Sequence, residues 1–307
     1  MKIKFEIKTD PTAYIINSDA LGDIVACLAS LKYAIERYHT HGQYLVYILS
    51  DFKDLLFFVP KDKIRFLERD QIENSYTQVL LNVHSSGQRL HPLRLSLSDY
   101  SSLSFMTRVL PTRNLSYPEL PLNNVDVSKF NIDFSRSVVI PPLYKDNNRC
   151  LSKDTLKGIC DYLNSVGLIP VLIGKSSKMY RCPDFSYLVN AVNLIDKTSL
   201  LESAKIISLC SLVVGVDSGV IHLAGMTKTK IVSGYTYASP ELRMPIREGK
   251  CGHSLIKVIP NIPCQFCQDR WQLESYCFSK CYYGTNLCVK KLTAKKFISA
   301  IRRSLGS

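Results

Sequence analysis

Five cysteines in the last fifth of this 307-residue chain have types and spacing that suit metal chemistry: Cys264, Cys267, Cys277, Cys281 and Cys288. A C-x2-C pair followed by further thiols is the usual way to close a tetrahedral site. We therefore expect a metal at this cluster. A disulfide knot and a loop of reduced thiols are the two alternatives.

A second group of residues follows a hydrophobic run, in the segment VVGVDSGVIHLAG. Asp217, Ser218 and Gly219 would lie at a strand-to-helix turn, and His222 would lie one turn into the helix. Backbone N–H groups at such a turn attract anions, and a glycine lets a phosphate approach the backbone closely. The segment therefore predicts an anion site, with an ordinary turn capped by Asp217 as the alternative.

A third group, NSDALGD, ends the first apolar run of the chain. Asp23 would face the same cleft as the anion site, where its carboxylate could take a proton from an acceptor hydroxyl as a general base. Asp19 lies four residues earlier and competes for this role. The alternative for either residue is a helix cap.

Alternating strand and helix patterns would position these groups. Before a linker at 115–133, the patterns predict strands at 12–18, 44–49 and 77–83, and helices at 23–38 and 54–59. After it they predict strands at 137–140, 169–173, 212–216 and 230–233, and helices at 153–166, 200–209, 218–226 and 290–305. This rhythm is typical of α/β proteins with doubly wound parallel sheets, in which ligands bind at the carboxyl ends of the strands.

The net charge of +13 is concentrated at the end of the chain, where residues 243–307 hold 12 Lys and Arg against 3 Asp and Glu. A basic face of this kind suits a polyanion such as nucleic acid, anionic lipid or phosphorylated glycan, although a solvated helix face is the alternative. The longest apolar runs have strand length, so we expect no transmembrane segment. The first residues carry charges and no apolar core, which predicts no signal peptide and a cytoplasmic protein.

Three segments resemble glycosyltransferase family nine, the heptosyltransferase family: NSDALGDIVACLASLKYAIERY, VVIPPLYKDNNRCLSKDTLKGICDYLNSVGLIPVLIGKSS and NLIDKTSLLESAKIISLCSLVVGVDSGVIHLAGMTKTKIV. The third contains the family's hallmark, D-S/T-G-x-x-H-L-A. The resemblance implies the GT-B fold, with two Rossmann-like doubly wound domains facing a cleft. Residues 1–130 would form the acceptor-side domain, and residues 131–307 the nucleotide-sugar domain with a cysteine-rich metal-binding loop at 261–290 and a basic C-terminal helix.

The resemblance also implies transfer of a sugar from a nucleotide-sugar donor with inversion. Asp23 matches the family's general base, and Asp217, Ser218, Gly219 and His222 match its donor site. Further donor contacts fall on Arg149, Gly174, Lys175 and Tyr235. The chain departs from the family in two places: Arg149 replaces a lysine, and Lys175 begins a segment that lacks the usual nucleoside-binding glutamate.

The cysteine cluster resembles the family as well, since many members carry a C-x2-C pair followed by C-x2-G-x3-C. The resemblance selects Cys264, Cys267, Cys281 and Cys288 as ligands of a structural zinc or iron, with Cys277 as a spare. Four protein ligands would leave no position open for a substrate.

Several classes of acceptor are compatible with the sequence. His84 and His91 follow a first-domain strand and are acceptor-side candidates. The expected acceptor is a lipopolysaccharide-type glycan, reached by peripheral membrane contact. The alternatives are hydroxymethylated DNA bases of the phage type, a protein acceptor, or an inactive module that only binds.

Overall fold

A computed structural model describes most of the chain. The described residues are 12–16, 18, 20–38, 43–48, 52–66, 77–81, 116–144, 147–176, 184–245, 247, 254–267, 281 and 283–306.

The first sheet has four parallel strands in the order β3-β2-β1-β4. Its elements are β1 Thr12–Ile16, α1 Leu21–Tyr38, β2 Tyr44–Ile48, β3 Ile64–Phe66 and β4 Thr77–Leu81. Ile16 pairs with both Ile48 and Leu81, so three strands end at one edge. The strand order reverses next to β1, and the loop after β1 therefore opens at a switch point.

The second sheet has six parallel strands in the order β10-β9-β8-β5-β6-β7. Its strands are β5 Ser137–Ile140, β6 Ile169–Leu172, β7 Val192–Asn193, β8 Leu212–Val216, β9 Lys230–Gly234 and β10 Leu255–Val258. The described helices of this part are α2 Lys153–Ser165, α3 Leu200–Leu209, α4 Gly219–Gly225, α5 Pro240–Arg243, α6 Leu287–Lys291 and α7 Ala294–Leu305. The order reverses between β5 and β8, which makes this sheet doubly wound with its switch point there.

Local sequence signals account for these elements. All five residues of β8 are buried, as expected for a central strand of a parallel sheet that is covered on both faces. Ser152 is the N-cap residue of helix α2, and its hydroxyl accepts a hydrogen bond from the N–H of Thr155. Helix α3 begins with a capping box formed by Ser199 and Glu202.

Two predicted helices differ from the structure. In place of the helix predicted at 54–59, the structure has a short 3-10 helix at Phe52–Leu56, followed by a turn before Pro60. The basic helix predicted at 290–305 is two helices, α6 and α7. The break lies at Leu292, which is fully buried and whose carbonyl accepts a hydrogen bond from Thr155 Oγ1 at 3.0 Å.

The two sheets meet where α1 packs against α4. One buried apolar cluster runs from β1 and α1 to α4 and the second sheet. The described helices include none that is both long and apolar enough to cross a bilayer.

Candidate active site

Loops after the carboxyl ends of the parallel strands carry most of the predicted site residues. Asp23 follows β1, Arg149 follows β5, and Asp217 directly follows β8. Gly174 and Lys175 follow β6, whereas Tyr235 follows β9. The predicted residues therefore lie along the edges where open α/β sheets bind ligands, and Asp23, Arg149 and Asp217 lie at the switch points of the two sheets.

Asp23 lies in the first turn of α1 and is held by a serine. Ser18 Oγ donates a hydrogen bond to Asp23 Oδ2 at 3.2 Å, and the same hydroxyl accepts one from the N–H of Ala20 at 3.1 Å. Ser18 is buried, whereas Asp23 is partly exposed. The serine therefore orients a carboxylate that a substrate can reach. No sequence pattern indicates this role for Ser18.

Asp217 is the centre of a buried ionic cluster. Its Oδ2 lies 3.3 Å from Arg149 Nη1, and its Oδ1 lies 3.3 Å from His222 Nε2. The Asp217 side chain is 6% exposed and that of Arg149 is 24% exposed. The carboxylate is thus enclosed, and the guanidinium reaches the surface of the site.

Electrostatics keeps the Asp217 carboxylate ionised. Burial alone would raise its pKa, but the hydrogen bond from His222 and the charges of Arg149 and Arg243 together outweigh burial and hold the pKa well below its usual range. An ionised carboxylate only accepts hydrogen bonds, so His222 donates to it through Nε2.

Tyr117 completes this cluster from the segment that precedes the second sheet. Its hydroxyl lies 2.9 Å from His222 Nδ1. A Cβ added at Gly225 would lie 2.9 Å from Tyr117 Cδ2, so the tyrosine ring packs directly on the backbone of α4. The backbone N–H of Leu120 donates to the carbonyl of Met226 at 3.1 Å and fixes the same segment. Tyr117 falls in the segment predicted as a linker, and no sequence pattern indicates its contact with His222.

Two glycines allow the first turn of α1 to lie against α4. A Cβ added at Gly22 would lie 3.1 Å from His222 Cδ2, and one added at Gly219 would lie 3.2 Å from the backbone N of Gly22. The close approach that Gly219 permits in this structure is therefore to α1. The phosphate contact expected of Gly219 stays a prediction.

We expect Gly22→Ala to lower turnover about tenfold while the protein stays folded. Alanine favours a helix by about 1 kcal/mol over glycine in an exposed position, but here the added methyl group would displace His222. Misplacing a group in an active site by about 1 Å can cost about 100-fold in rate. Steady-state kinetics and thermal unfolding of the variant check this expectation. Unchanged kinetics would mean that the contact is only structural packing.

The loop after β6 is fixed by a carboxylate from another part of the chain. Asp196 accepts hydrogen bonds from the backbone N–H of Ser176 at 2.8 Å and from Ser176 Oγ at 2.5 Å. These hydrogen bonds lower the pKa of Asp196. Gly174 packs on Leu143, and Lys175 is exposed beside it. Lys175 directly follows Gly174 and begins the segment in which the family pattern has a glutamate a few residues after the glycine.

Two further donor-side candidates have buried hydroxyl groups. Ser218 Oγ is buried and has no hydrogen-bond partner among the described residues. Tyr235 is 1% exposed, and its N–H donates to the carbonyl of Val258 at 3.0 Å. The donor contact expected of Tyr235 stays a prediction.

The cysteine pair packs beside the loop after β9. The backbone N–H of Phe266 donates to the carbonyl of Thr236 at 3.3 Å, and Cys267 packs on Tyr237 and Ala238. No described cysteine takes part in a disulfide. The cysteine-rich segment therefore lies next to the carboxyl edge of the second sheet.

The charges of the four thiols act on one another there. Burial, and after it negative charge on Cys267, Cys281 and Cys264, raises the pKa of the Cys288 thiol to about 12. Burial also acts to raise the pKa of the Cys281 thiol, but hydrogen bonds from the backbone N–H groups of Asn286, Tyr283 and Thr285 outweigh it and lower that pKa. Within the described part of the chain, however, no three His, Cys, Asp or Glu side chains form a group that could hold a metal ion. The metal-binding loop expected from the sequence is not demonstrated by this arrangement.

Four predicted residues lie outside the described residues: Asp19, His84, His91 and Cys277. Their roles stay predictions.

A comparison with protein-family models matches residues 175–273 to glycosyltransferase family 9 (heptosyltransferase). This confirms the resemblance recognised from the sequence over the segment that contains Asp217 and His222. A search of curated proteins gives no match.

Solved structures with the same architecture include several heptosyltransferases. The iron-containing dodecameric glycosyltransferase TibC from enterotoxigenic E. coli H10407 is 16% identical, with a TM-score of 0.74 over 97% of this chain and 76% of that one. TibC in complex with ADP-D-beta-D-heptose is 14% identical, with a TM-score of 0.70 over 100% and 78% of the two chains. E. coli ADP-heptose lps heptosyltransferase II is 13% identical, with a TM-score of 0.64 over 96% and 98%. At these identities the likeness shows the fold, which is that of GT-B-like glycosyltransferases.

Proposed function

We propose that this chain, a glycosyltransferase by its family match, moves a sugar with inversion from a nucleotide-sugar donor to a hydroxyl of an anionic acceptor. One observation carries the proposal. The first turn of α1, which holds Asp23, lies against His222, and His222 belongs to the cluster of Asp217 and Arg149. A candidate base and a candidate phosphate-binding arginine thus come from loops on the two sheets.

The reaction we propose is a direct displacement at the anomeric carbon. Asp23, oriented by Ser18, takes the proton of the acceptor hydroxyl as the acceptor oxygen bonds to that carbon. The bond from the carbon to the diphosphate oxygen breaks, and the nucleoside diphosphate leaves with the electron pair. Arg149 stabilises the developing negative charge through its planar N–H groups.

The charges of the cluster assign different roles to its members. A buried carboxylate repels a diphosphate, so Asp217 orients Arg149 and His222 and does not itself bind the phosphates. ADP-heptose is the donor we propose to test first, because TibC binds it and shares this fold. The surroundings of Lys175 differ from the family pattern, and they would set the preference for the nucleoside.

The acceptor we propose is a phosphorylated glycan of the lipopolysaccharide type. Exposed Lys290, Lys291 and Lys295 lie at the start of the basic C-terminal segment. Lys296 Nζ donates to the carbonyls of Ile259 and Pro260, just beyond β10, which places this start at the carboxyl edge of the second sheet. Positive charge at this edge would attract an anionic acceptor and an anionic membrane surface. We also propose that the protein acts in the cytoplasm.

We also propose a structural zinc or iron held by Cys264, Cys267, Cys281 and Cys288. Charge on Cys264, Cys267 and Cys281 acts on the Cys288 thiol, and backbone N–H groups bond to Cys281, which favours its thiolate form. TibC is iron-containing. The metal would hold the segment that packs on Tyr237 and Ala238, and it would take no part in sugar transfer.

We expect Cys281→Ser to lose the bound metal and soluble protein together. Removing one thiolate from a four-thiolate site opens the coordination shell, and a structural metal supplies folding free energy directly. Cys150→Ser is the matched control, because Cys150 is a partly exposed thiol outside the cluster. Elemental analysis of both purified variants measures the metal and identifies it as zinc or iron. Full metal content in Cys281→Ser would refute the assignment.

A panel of nucleotide sugars tests the function as a whole. Thermal unfolding of the wild-type protein in the presence of each nucleotide sugar identifies a donor. Three acceptors are then incubated with the protein and this donor: a phosphorylated glycan, hydroxymethylated DNA and a peptide. Mass spectrometry of each acceptor shows which one gains a sugar. We expect stabilisation by ADP-heptose and a heptosyl mass on the glycan. A glycosyl mass on DNA or peptide would reassign the acceptor. No stabilisation by any donor would contradict the proposal and favour the module that only binds.

A further inference from the structure

Tyr117 lies where it can control the ring of His222. Its hydroxyl is 2.9 Å from His222 Nδ1, and the two ring centroids are 6.1 Å apart with a 37° angle between their planes. His222 is 7% exposed, so water does not readily replace a lost partner. A buried ring nitrogen without a partner costs free energy.

The tautomer of His222 follows from its partners. When the ring is neutral and the Asp217 carboxylate accepts the hydrogen on Nε2, a lone pair remains on Nδ1. The Tyr117 hydroxyl, 2.9 Å away, is then the donor to this lone pair. A tyrosine hydroxyl, an imidazole, a carboxylate and a guanidinium thus form a continuous chain that ends at Arg149.

We propose that Tyr117 is a positioning residue for the donor site, acting through His222 and Asp217 on Arg149. This inference rests on the proposed function, in which Arg149 contacts the donor diphosphate. Tyr117 belongs to the segment that precedes β5, whereas its three partners follow β5 and β8. The contacts therefore link the segment before β5, which holds Tyr117, with Arg149, the residue that we propose to bind the donor diphosphate.

Tyr117→Phe removes the hydroxyl and keeps the ring that packs on Gly225. We expect the variant to fold normally, with about tenfold weaker binding of ADP and a similarly raised KM for the donor. The KM for the acceptor should not change. Tyr162→Phe is the matched control, since the Tyr162 hydroxyl accepts a hydrogen bond from Arg302 on the surface of the second sheet.

A double-mutant cycle separates positioning from packing. If Tyr117 acts through His222, Tyr117→Phe should have no further effect on ADP binding in a His222→Ala background. Equal losses in both backgrounds, or wild-type ADP binding by Tyr117→Phe, would overturn the inference.

A second readout does not depend on activity. Nitrogen NMR of His222 should show a lone pair on Nδ1 in the wild type, with a signal that shifts when the Tyr117 hydroxyl is removed. An unchanged Nδ1 signal would also overturn the inference. Failure of the proposed function looks different, because the wild-type protein would then bind no ADP while the Nδ1 signal still responds to Tyr117→Phe.

Discussion

Replacing Asp23 with asparagine should lower kcat by roughly 10²- to 10⁴-fold, which is the usual contribution of a general base. The amide has the size of the carboxylate and still accepts the hydrogen bond from Ser18 Oγ. It cannot take a proton from the acceptor at neutral pH. Binding of ADP should stay within about twofold of wild type, because the role we propose for Asp23 is with the acceptor and not with the donor. Stopped assays of sugar transfer and titration with ADP measure the two effects separately.

Asp19→Asn is the natural comparison, since Asp19 is the other carboxylate of the same segment. We expect it to retain most of the activity. Full activity in Asp23→Asn together with loss of activity in Asp19→Asn would move the base to Asp19. Loss of ADP binding in Asp23→Asn would show that the residue contacts the donor instead.

The second large effect is expected from Asp217→Asn, which removes the charge at the centre of the buried cluster. Arg149 and His222 would lose the carboxylate that orients them. Hydrogen bonds to charged groups each contribute about 1.5–3 kcal/mol, so we expect a loss of roughly 2–3 kcal/mol in the free energy of unfolding. The KM for the donor should rise at least about tenfold for the same reason. Urea unfolding and steady-state kinetics measure these quantities.

The contribution of Asp217 to the free energy of unfolding should decrease at acid pH. Its pKa is lower in the folded protein than its unfolded value of about 3.9, so the folded state binds fewer protons. The stabilisation is therefore fully present above about pH 4 and is lost as the pH falls below that value. The difference in unfolding free energy between the wild type and Asp217→Asn should shrink as the pH falls below about 4.

Asp161→Asn provides a control for this pair of measurements. Asp161 is 56% exposed and pairs with Lys157 at 2.6 Å on the surface of α2. An exposed pair of this spacing contributes about 0.3–0.5 kcal/mol. A similar effect of both substitutions would contradict the view of Asp217 as a buried centre.

The sequence predicted the strands that hold the site because each is a short apolar run ending at a polar turn. Hydrophobic periodicity located β8 and α3 to the residue, and helix α1 to within two residues. It missed β3, β7 and β10, which are two to four residues long and leave little periodic signal. The break at Leu292 was missed because a buried leucine and a long-range hydrogen bond from Thr155 end α6, and neither is visible locally.

The candidate site was only partly predictable for a related reason. Asp217 and His222 are close in sequence and share one turn, so a motif reveals them. Tyr117 reaches His222 across 105 positions of the chain, and only the fold brings the two together. The role of Gly22 was likewise not predictable, because it depends on the packing of α1 against α4. Local patterns locate residues on one element, whereas contacts between elements require the structure.

A crystal structure of the protein with ADP would test the central claim most directly. The account predicts the diphosphate within hydrogen-bonding distance of Arg149, at the switch point between β5 and β8. It also predicts that Asp23 faces the position that the transferred sugar would occupy beyond the diphosphate, from the other side of the cleft. A diphosphate bound away from Arg149, or an Asp23 turned out of the cleft that holds ADP, would contradict it.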